Sequence, residues 1–456
     1  MGIHRLYNNG YFMRDKLDSL FKAYDVRGVY PEELDDCLSY DIGAAFGLFV
    51  KEPEVIIGHD ARLSSEKIFL AFSSGLRDSG KGLRYIGLVP TDVVYTMSGI
   101  FDLPGVMITA SHNPKEWNGF KFCKAGSKPV GIETGLNEIK GLINPSNSYE
   151  EISPVNQEDI FDEYVNHVSA IINPSRINKE MNIGIDAGNG VAGAFIPKLL
   201  ERYGVSFSGI FLEPDGNFPN HPADPSNQKN LNDLLEHILK NNLDFGVAFD
   251  GDADRAVFLD NKGNLISGSM MTAVISDWLF LKNKELKVVH NVNVSPSIVD
   301  YLTSKGVTMI RSKVGHSYIK EVMHNEQADF GGEHSAHFYY KDNYYADSGM
   351  ITLLMFIQIL SEKKVKASEL ITGYNFRPSS GEINFEVADT KESLNKIEEF
   401  FEGSFDKLDG LTYLSDDYWF NVRGSNTEPK LRLNAEAVNQ ETLDDIITQI
   451  KNIIGE

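Results

Sequence analysis

Three aspartates occupy alternate positions in the segment 250–254, directly after an apolar stretch at 245–249. Carboxylates this close together repel one another unless a cation neutralises them, and hard oxygen donors are the ligands that Mg²⁺ prefers. An EF-hand calcium loop does not fit, because Arg255 stands where that loop needs glycine and Asn261 where it needs glutamate. Asp250, Asp252 and Asp254 are therefore predicted to bind Mg²⁺, the alternative being a solvated turn.

A second reactive group lies in the segment Thr109-Ala110-Ser111-His112-Asn113-Pro114, which follows the apolar run 106–108. The run predicts a buried strand, and Pro114 ends it, so the hydroxyl of Ser111 is presented at the carboxyl end of the strand. Lys121 follows on an alternating stretch that predicts another strand, and Gly119 is expected to permit the turn between them. We interpret Ser111 as a nucleophile for phosphate chemistry, the alternative being an ordinary turn beside a solvated lysine.

Two further segments offer groups that bind phosphate. A short strand from Phe21 is expected to end at Arg27 and Gly28 in a turn, which would bring a guanidinium close to an anion. The segment 422–432 predicts a strand that enters a loop rich in hydrogen-bond donors, and such a loop can enclose a phosphate. The alternatives are a surface arginine in the first case and a hydrophilic hairpin loop in the second.

The segment 331–337 reads Gly-Gly-Glu-His-Ser-Ala-His. Glu333 and Ser335 alternate, so on an extended backbone they would face one side and bind adjacent sugar hydroxyls, with His337 next in the row as a proton carrier. A zinc site at His334 and His337 is disfavoured because no third ligand is suggested nearby. Lys313 is expected to add a cation.

The elements that must position these groups follow a repeated outline of buried strand, polar turn and helix. The outline begins near residues 54, 182 and 287 and predicts three related α/β units, each with a mixed, largely parallel sheet. After residue 376 an alternating strand, a charged helix at about 391–401 and an amphipathic helix at 440–454 predict a smaller α+β domain. We expect four domains, at 1–155, 156–264, 265–375 and 376–456.

Composition narrows the class of protein. The 456 residues carry a formal net charge of -22, which argues against nucleic acid or an anionic membrane as the main partner. Two cysteines are too few for a disulfide framework and favour a reducing compartment, so a cytoplasmic protein is expected. The longest apolar stretch, at 350–360, is too short to span a bilayer. A monomer or weak homo-oligomer is expected.

Taken together, the motifs resemble those of the α-D-phosphohexomutase family, in order from about Phe21 to Glu436: TASHNP, DGDADR, GEHSAH and RGSNTEP. The resemblance implies four domains around a central cleft and a phosphotransferase that interconverts hexose 6-phosphate and hexose 1-phosphate through a phosphoserine and a bisphosphorylated sugar. The sugar loop is similar to the Glu-x-Ser-Ala-His form of bacterial phosphomannomutases, which also implies phosphoglucomutase activity. Phosphoglucosamine mutase is the alternative within the family; a sugar-phosphate phosphatase and a non-catalytic sugar-phosphate binding protein are alternatives outside it.

The resemblance also implies roles for residues. Ser111 would carry the phosphoryl group and, with the three aspartates, bind Mg²⁺. Catalytic groups around the transferred phosphoryl group are implied at Arg27, Lys121, His112 and His337. Either Lys121 or His337 would relay the proton. Substrate contacts are implied at Tyr24, Arg255, Lys313, Glu333, Ser335, His337, Arg423, Ser425, Asn426, Thr427 and Arg432. Glucose 1,6-bisphosphate or mannose 1,6-bisphosphate would be the activator, and hexose phosphates the partners.

Two positions depart from the family pattern. His59 stands where the family often has arginine, which leaves Arg62 as the local cation. His334 occupies the variable position of the sugar loop, so the identity of the sugar stays open between mannose and glucose.

Overall fold

A computed structural model describes residues 17–146, 148–152, 155–374, 376–424 and 430–455. The chain forms two compact units: the first is the chain up to Ile266 together with His337–Ser368, and the second is Ser267–Ala336 together with the chain from Glu369. Within the described residues, no helix has both the length and the apolar character needed to cross a membrane.

The first α/β sheet has the strand order β1-β5-β4-β2-β3, with β6 beside β5. Strands β3, β2 and β4 are parallel to one another. Strand β5 is antiparallel to β4, and the edge strand β1 is antiparallel to β5. Its elements are β1 (Val26–Val29), α1 (Asp36–Phe49), β2 (Glu54–His59), α2 (Ser65–Asp78), β3 (Gly82–Leu88), α3 (Thr91–Phe101), β4 (Gly105–Ile108), β5 (Trp117–Lys124), β6 (Lys128–Pro129) and α4 (Asn137–Leu142).

The predicted turn at Arg27 and Gly28 is wrong. Both residues lie inside β1, which pairs with β5 so that Arg27 stands opposite Gly119. Gly119 in turn belongs to β5 and not to a turn; a Cβ there would lie 1.9 Å from the carbonyl oxygen of Val26. The glycine therefore permits the close approach of β1, and cross-strand pairing overrides the local turn signal.

The second sheet has the order β11-β10-β9-β7-β8, in which β8, β7 and β9 are parallel and β10 and β11 are antiparallel. Its elements are α5 (Phe161–Ile171), β7 (Asn182–Asp186), α6 (Ala192–Tyr203), β8 (Ser206–Ile210), α7 (Asn232–Asn241), β9 (Phe245–Phe249), β10 (Ala256–Asp260) and β11 (Leu265–Ile266). All five residues of β9 are buried, as expected for a strand covered on both faces.

The third α/β segment contributes to both compact units. In the second unit β12 lies between β13 and β14, parallel to both. In the first unit β15 and β16 form an antiparallel pair. The elements are α8 (Gly268–Lys282), β12 (Lys287–Asn291), α9 (Pro296–Ser304), β13 (Thr308–Ser312), α10 (His316–Glu326), β14 (Phe330–Gly332), β15 (Phe338–Tyr340), β16 (Ala346–Asp347), α11 (Gly349–Lys363) and α12 (Ala367–Ile371).

The C-terminal segment forms a four-stranded antiparallel sheet of order β17-β20-β19-β18. The apolar stripe of its last helix packs into a core with the sheet through Leu443, Ile446 and Ile450. Its elements are β17 (Ser379–Glu386), α13 (Thr390–Phe400), β18 (Leu411–Leu414), β19 (Tyr418–Gly424), β20 (Lys430–Ala437) and α14 (Gln440–Ile454). Mixed sheets in three α/β segments and a smaller α+β segment agree with the fold class predicted from the sequence.

Candidate active site

Ser111 lies in a tight turn directly after β4. Its backbone has a φ of 51°, a left-handed conformation that non-glycine residues rarely adopt, and the residue is 1% exposed. The amide of Ser111 donates to the hydroxyl of Thr109 at 2.8 Å, and its own hydroxyl donates to Asp250 Oδ2 at 2.6 Å. The turn thus aims a buried hydroxyl at the predicted metal loop.

The metal loop begins where β9 ends. Asp250, Asp252 and Asp254 each offer a carboxylate oxygen, and these oxygens lie within 4.8 Å of one another. Lys121, which points from β5, holds two of the carboxylates, with Nζ 2.6 Å from Asp252 Oδ2 and 2.5 Å from Asp254 Oδ2. Asp252 Oδ1 is buried and has no hydrogen-bond partner among the described residues. An orphaned carboxylate oxygen within a buried set of oxygen donors fits a hard cation such as Mg²⁺.

The charges of this cluster shift the pKa values in opposite directions. Burial, together with the neighbouring Asp254 and Asp252, raises the pKa of Asp250 well above its usual range. Burial alone would also raise the pKa of Asp254, but Lys121 and His337 outweigh it and hold that pKa well below its usual range. Burial alone would lower the pKa of Lys121, but Asp252 and Asp254 outweigh it and raise that pKa. The two carboxylates thereby favour the charged form of Lys121.

Gly251 allows the metal loop and the Ser111 turn to meet. A Cβ on Gly251 would lie 2.5 Å from the carbonyl oxygen of Ser111, a distance that real Cβ atoms do not reach. Ala253 in the same loop has a φ of 60°, so the backbone turns sharply between successive aspartates. The small residues between the aspartates therefore set the distance between the two motifs.

Arg27 reaches the same turn from β1. Its Nη1 donates to Asn113 Oδ1 at 2.5 Å, and its Nε donates to Asp25 Oδ2 at 2.7 Å. Burial would lower the pKa of Arg27, but Asp25 and Tyr24 outweigh it and raise it. The structure therefore brings Arg27 to the Ser111 turn, with Tyr24 close enough to Arg27 to affect its pKa.

Arg255 connects two predicted histidines to the metal loop. Its Nη2 donates to His112 Nδ1 at 2.9 Å, its Nε donates to His337 Nε2 at 3.3 Å, and the same Nε lies 3.8 Å from Asp250 Oδ2. Burial and the nearby Arg255 and Arg27 hold the pKa of His112 well below its usual range, so this ring is neutral. His337 Nε2 also lies 3.4 Å from Asp254 Oδ1.

The remaining predicted residues of the sugar loop lie in the second unit. The predicted extended segment at Glu333 and Ser335 is wrong: residues 334 and 335 form a turn, and Ala336 has a φ of 65°. Glu333 is 1% exposed and accepts from Asn291 Nδ2 at 2.7 Å, whereas Ser335 is half-buried. The turn after β14 interrupts the extended backbone, so the alternation that would have placed the two side chains on one side does not hold.

The predicted phosphate loop is described only at its two edges. Arg423 of β19 and Arg432 of β20 stand opposite each other in the sheet. Ser425, Asn426 and Thr427 lie outside the described residues. Lys313 is exposed, and its Nζ lies 5.6 Å from the centre of the Tyr318 ring.

Glu382 of β17 joins the two arginines to the sugar loop. Its carboxylate lies 3.5 Å from Arg423 Nη2, 3.2 Å from Arg432 Nη1 and 3.5 Å from His334 Nε2. Burial would raise the pKa of Glu382, but His334, Arg432 and Arg423 outweigh it and lower the pKa to about 2.

Comparisons with known proteins match domain families along the chain. Four successive domain families of phosphoglucomutase/phosphomannomutase match: alpha/beta/alpha domains I, II and III at residues 18–150, 162–263 and 267–375, and the C-terminal domain at 382–453. A phosphomannomutase of Escherichia coli K12 is 35% identical over 432 residues, which cover 91% of this chain and 94% of the relative. The chain belongs to the phosphoglucomutase/phosphomannomutase family.

Two further relatives come from other organisms. A phosphomannomutase of Methanocaldococcus jannaschii is 33% identical over 444 residues, which cover 96% of this chain and 97% of the relative. The crystal structure of a phosphoglucomutase/phosphomannomutase family protein from Burkholderia thailandensis has a TM-score of 0.85 and 28% identity, and it covers 95% of this chain and 96% of that one.

Three residues that contact the predicted site residues were not predicted from the sequence. Thr91, at the start of α3, donates to Asp252 Oδ2 at 2.6 Å; Asn291, at the end of β12, holds Glu333; and Glu382 joins the arginines. Asn291 and Thr91 follow strands at their carboxyl ends, a position that marks such residues in open α/β sheets. Glu382 stands inside an alternating strand, and no local signal distinguishes it.

Proposed function

We propose that this protein is a hexose-phosphate mutase that interconverts hexose 6-phosphate and hexose 1-phosphate through a phosphoserine at Ser111. The observation that carries the proposal is the buried Ser111 hydroxyl, which is hydrogen-bonded at 2.6 Å to Asp250 of an acidic loop and is presented in a left-handed turn. A hydroxyl in this setting can carry a phosphoryl group while water is kept away.

The residues around Ser111 suit phosphoryl transfer because the transferring group spreads negative charge over its oxygens. Lys121 and Arg27 are the cations proposed to stabilise that charge, and neutral His112 lies 3.2 Å from the Ser111 hydroxyl. Asp250, Asp252 and Asp254 would hold Mg²⁺ together with the Ser111 phosphate. When bound, Mg²⁺ supplies positive charge to the phosphate oxygens.

When a sugar hydroxyl attacks the phosphoserine, its proton must be removed and the Ser111 oxygen that leaves must receive one; the second transfer reverses these roles. Lys121 and His337 are the two proposed proton carriers. Lys121 donates a hydrogen bond to the carboxylate of Asp254, and His337 Nε2 lies 3.4 Å from the same carboxylate. Arg255 is proposed to contact substrate and to orient His112 and His337, because it donates to both rings.

Several of the proposed substrate groups lie in the second unit. Glu333 and Ser335 there, and His337 in the first unit, are proposed to bind sugar hydroxyls, and Lys313 in the second unit is proposed to add a cation for the substrate. Arg423, Ser425, Asn426, Thr427 and Arg432 are proposed to bind the phosphate that is not being transferred. Tyr24 is proposed as a further contact beside Arg27.

Mannose and glucose phosphates are the proposed substrates, with phosphomannomutase activity first and phosphoglucomutase activity second. The likeness of the chain to curated phosphomannomutases and the Glu-x-Ser-Ala-His form of the sugar loop support this choice. Glucosamine phosphate is not favoured. Glucose 1,6-bisphosphate or mannose 1,6-bisphosphate is proposed to phosphorylate Ser111 at the start of turnover.

The test is turnover of mannose 1-phosphate, glucose 1-phosphate and glucosamine 1-phosphate by the purified protein with Mg²⁺ and a trace of glucose 1,6-bisphosphate. We expect isomerisation of the first two sugars without release of inorganic phosphate, and no isomerisation by Ser111→Ala. Phosphate release at the rate of sugar turnover would indicate a phosphatase instead. Turnover of glucosamine 1-phosphate alone would overturn the choice of sugar.

A further inference from the structure

Arg62 lies in the turn after β2, and its side chain contacts the backbone of the Ser111 turn. It is 3% exposed, and both terminal nitrogens of its guanidinium donate to backbone carbonyls of the segment 111–117. Nη2 donates to Ser111 and Asn113, each at 2.7 Å. Nη1 donates to Pro114 at 2.7 Å and Trp117 at 2.9 Å. One side chain therefore holds four carbonyl groups of the turn that carries the nucleophile.

The remaining N–H of the guanidinium completes a ring of hydrogen bonds. Nε donates to Asp60 Oδ2 at 3.1 Å, the same oxygen accepts from the Thr109 hydroxyl at 2.7 Å, and the Thr109 hydroxyl accepts from the Ser111 amide at 2.8 Å. Asp60 Oδ1 is held in turn by the Ser65 hydroxyl at 2.7 Å. Ser111 is thereby fixed through its amide and its carbonyl at once.

All five guanidinium donors are occupied in this arrangement, so none is left for a phosphate. The residue expected to be the local cation therefore directs all its donors at Asp60 and backbone carbonyls. The planar, forked geometry of arginine is needed here because a lysine offers three donors from a single point and cannot span four carbonyls.

A loop of the second α/β segment covers the guanidinium. The Phe218 ring lies 5.4 Å from Arg62 Cζ, and a Cβ on Gly216 would lie 2.6 Å from the carbonyl of Ala61 and 2.6 Å from the amide of Leu63. The close packing excludes water from the face of the guanidinium, which strengthens its hydrogen bonds.

We propose that Arg62 is the positioning residue that keeps Ser111 in its left-handed conformation for phosphoryl transfer. The inference rests on the proposed function, since it assigns Arg62 to the same nucleophile. A non-glycine residue in this conformation persists only where its surroundings hold it. Loss of Arg62 would let the turn relax and move the hydroxyl away from Asp250 without changing the groups that bind sugar.

The test compares Arg62→Lys and Arg62→Met with the wild type in hexose phosphate turnover, at saturating Mg²⁺ and bisphosphate. We expect kcat to fall by about 10²-fold in both variants, the loss typical of a misplaced reacting group. KM should stay within about twofold, because ground-state binding does not depend on Arg62. Although Arg62→Lys retains the positive charge, its kcat should be no higher than that of Arg62→Met.

Two results would overturn the proposal: kcat retained in Arg62→Lys but lost in Arg62→Met, which would indicate a role for charge, or a raised KM with unchanged kcat. The matched control is Arg84→Lys on β3 of the same sheet, where the arginine pairs with Glu158 and stacks on Phe101 away from the Ser111 turn. Its kcat should equal that of the wild type.

A milder variant covers the case in which neither Arg62 variant folds. Thr109→Val keeps the shape of the side chain but removes both hydrogen bonds of the Thr109 hydroxyl, and the same fall in kcat at constant KM is expected. An unchanged kcat in folded Thr109→Val would overturn the proposal that this ring of hydrogen bonds positions Ser111. Absence of turnover in the wild type would instead overturn the proposed function.

Discussion

Replacement of Gly251 by alanine tests whether contact between the metal loop and the Ser111 turn sets the rate. The new Cβ would lie 2.5 Å from the carbonyl oxygen of Ser111, whereas real Cβ contacts stay above 3.0 Å, so the two backbones must separate by at least 0.5 Å. Because both sides of this contact are backbone, no flexible side chain can absorb the movement. Overpacking of this kind costs about 1–3 kcal/mol of unfolding free energy.

The effect on catalysis follows from the same displacement. A misplacement of about 1 Å can lower a rate by about 10²-fold, so a shift of half that size predicts a loss of kcat of about tenfold or more. The Ser111 hydroxyl would move away from Asp250 while the groups in the second unit are untouched, so KM should change little.

The assay measures kcat and KM for hexose phosphate isomerisation at saturating bisphosphate, with Mg²⁺ titrated to saturation, alongside the thermal unfolding midpoint. Gly141→Ala in α4 is the matched control, because a Cβ there would have no heavy atom within 4 Å. A folded Gly251→Ala protein whose kcat lies within twofold of the wild type would refute the reasoning. Full recovery of kcat at high Mg²⁺ would also refute it, since only metal affinity would then have changed.

Three further predictions concern single side chains. Ser111→Ala should accept no phosphate from glucose 1,6-bisphosphate, as measured by mass spectrometry; incorporation elsewhere would exclude Ser111 as the carrier. Burial would lower the pKa of His221, but Asp186, 3.1 Å away, outweighs it and raises the pKa. His221→Gln should therefore destabilise the protein most below about pH 6.5, the ordinary pKa of histidine, with the difference in unfolding midpoint disappearing as pH rises through the folded pKa. The pKa of Glu382 is lowered to about 2, so its stabilising effect should persist above about pH 4 and disappear only as pH falls toward 2; a Glu382→Gln midpoint equal to wild type at pH 7 would contradict this.

Much of the secondary structure followed from local patterns. The amphipathic spacing predicted the last helix at 440–454 with its observed bounds, and the apolar run at 245–249 predicted β9. The last helix buries one apolar face, so its period is visible in the sequence, whereas β9 is buried on both faces and therefore reads as a continuous apolar run. The predicted turn at Arg27 is wrong because pairing with the partner strand β5, and not the local residues, decides that β1 continues through Gly28.

By itself, the sequence determined which chemistry is present. Three carboxylates within five residues must lie close together in any fold, and a strand that ends in a small-residue turn must place Ser111 at its end. These are local consequences of chain geometry. They hold whatever the rest of the chain does.

Only the tertiary structure decided which groups meet. Ser111 reaches Asp250 across 139 positions and Lys121 reaches Asp252 across 131. Such pairings depend on strand order and register, which local periodicity does not encode. For the same reason the positioning role of Arg62 could not be predicted from the sequence. Its sequence neighbours predict only a cation after a strand, whereas the fold places four carbonyls of a distant turn around its guanidinium.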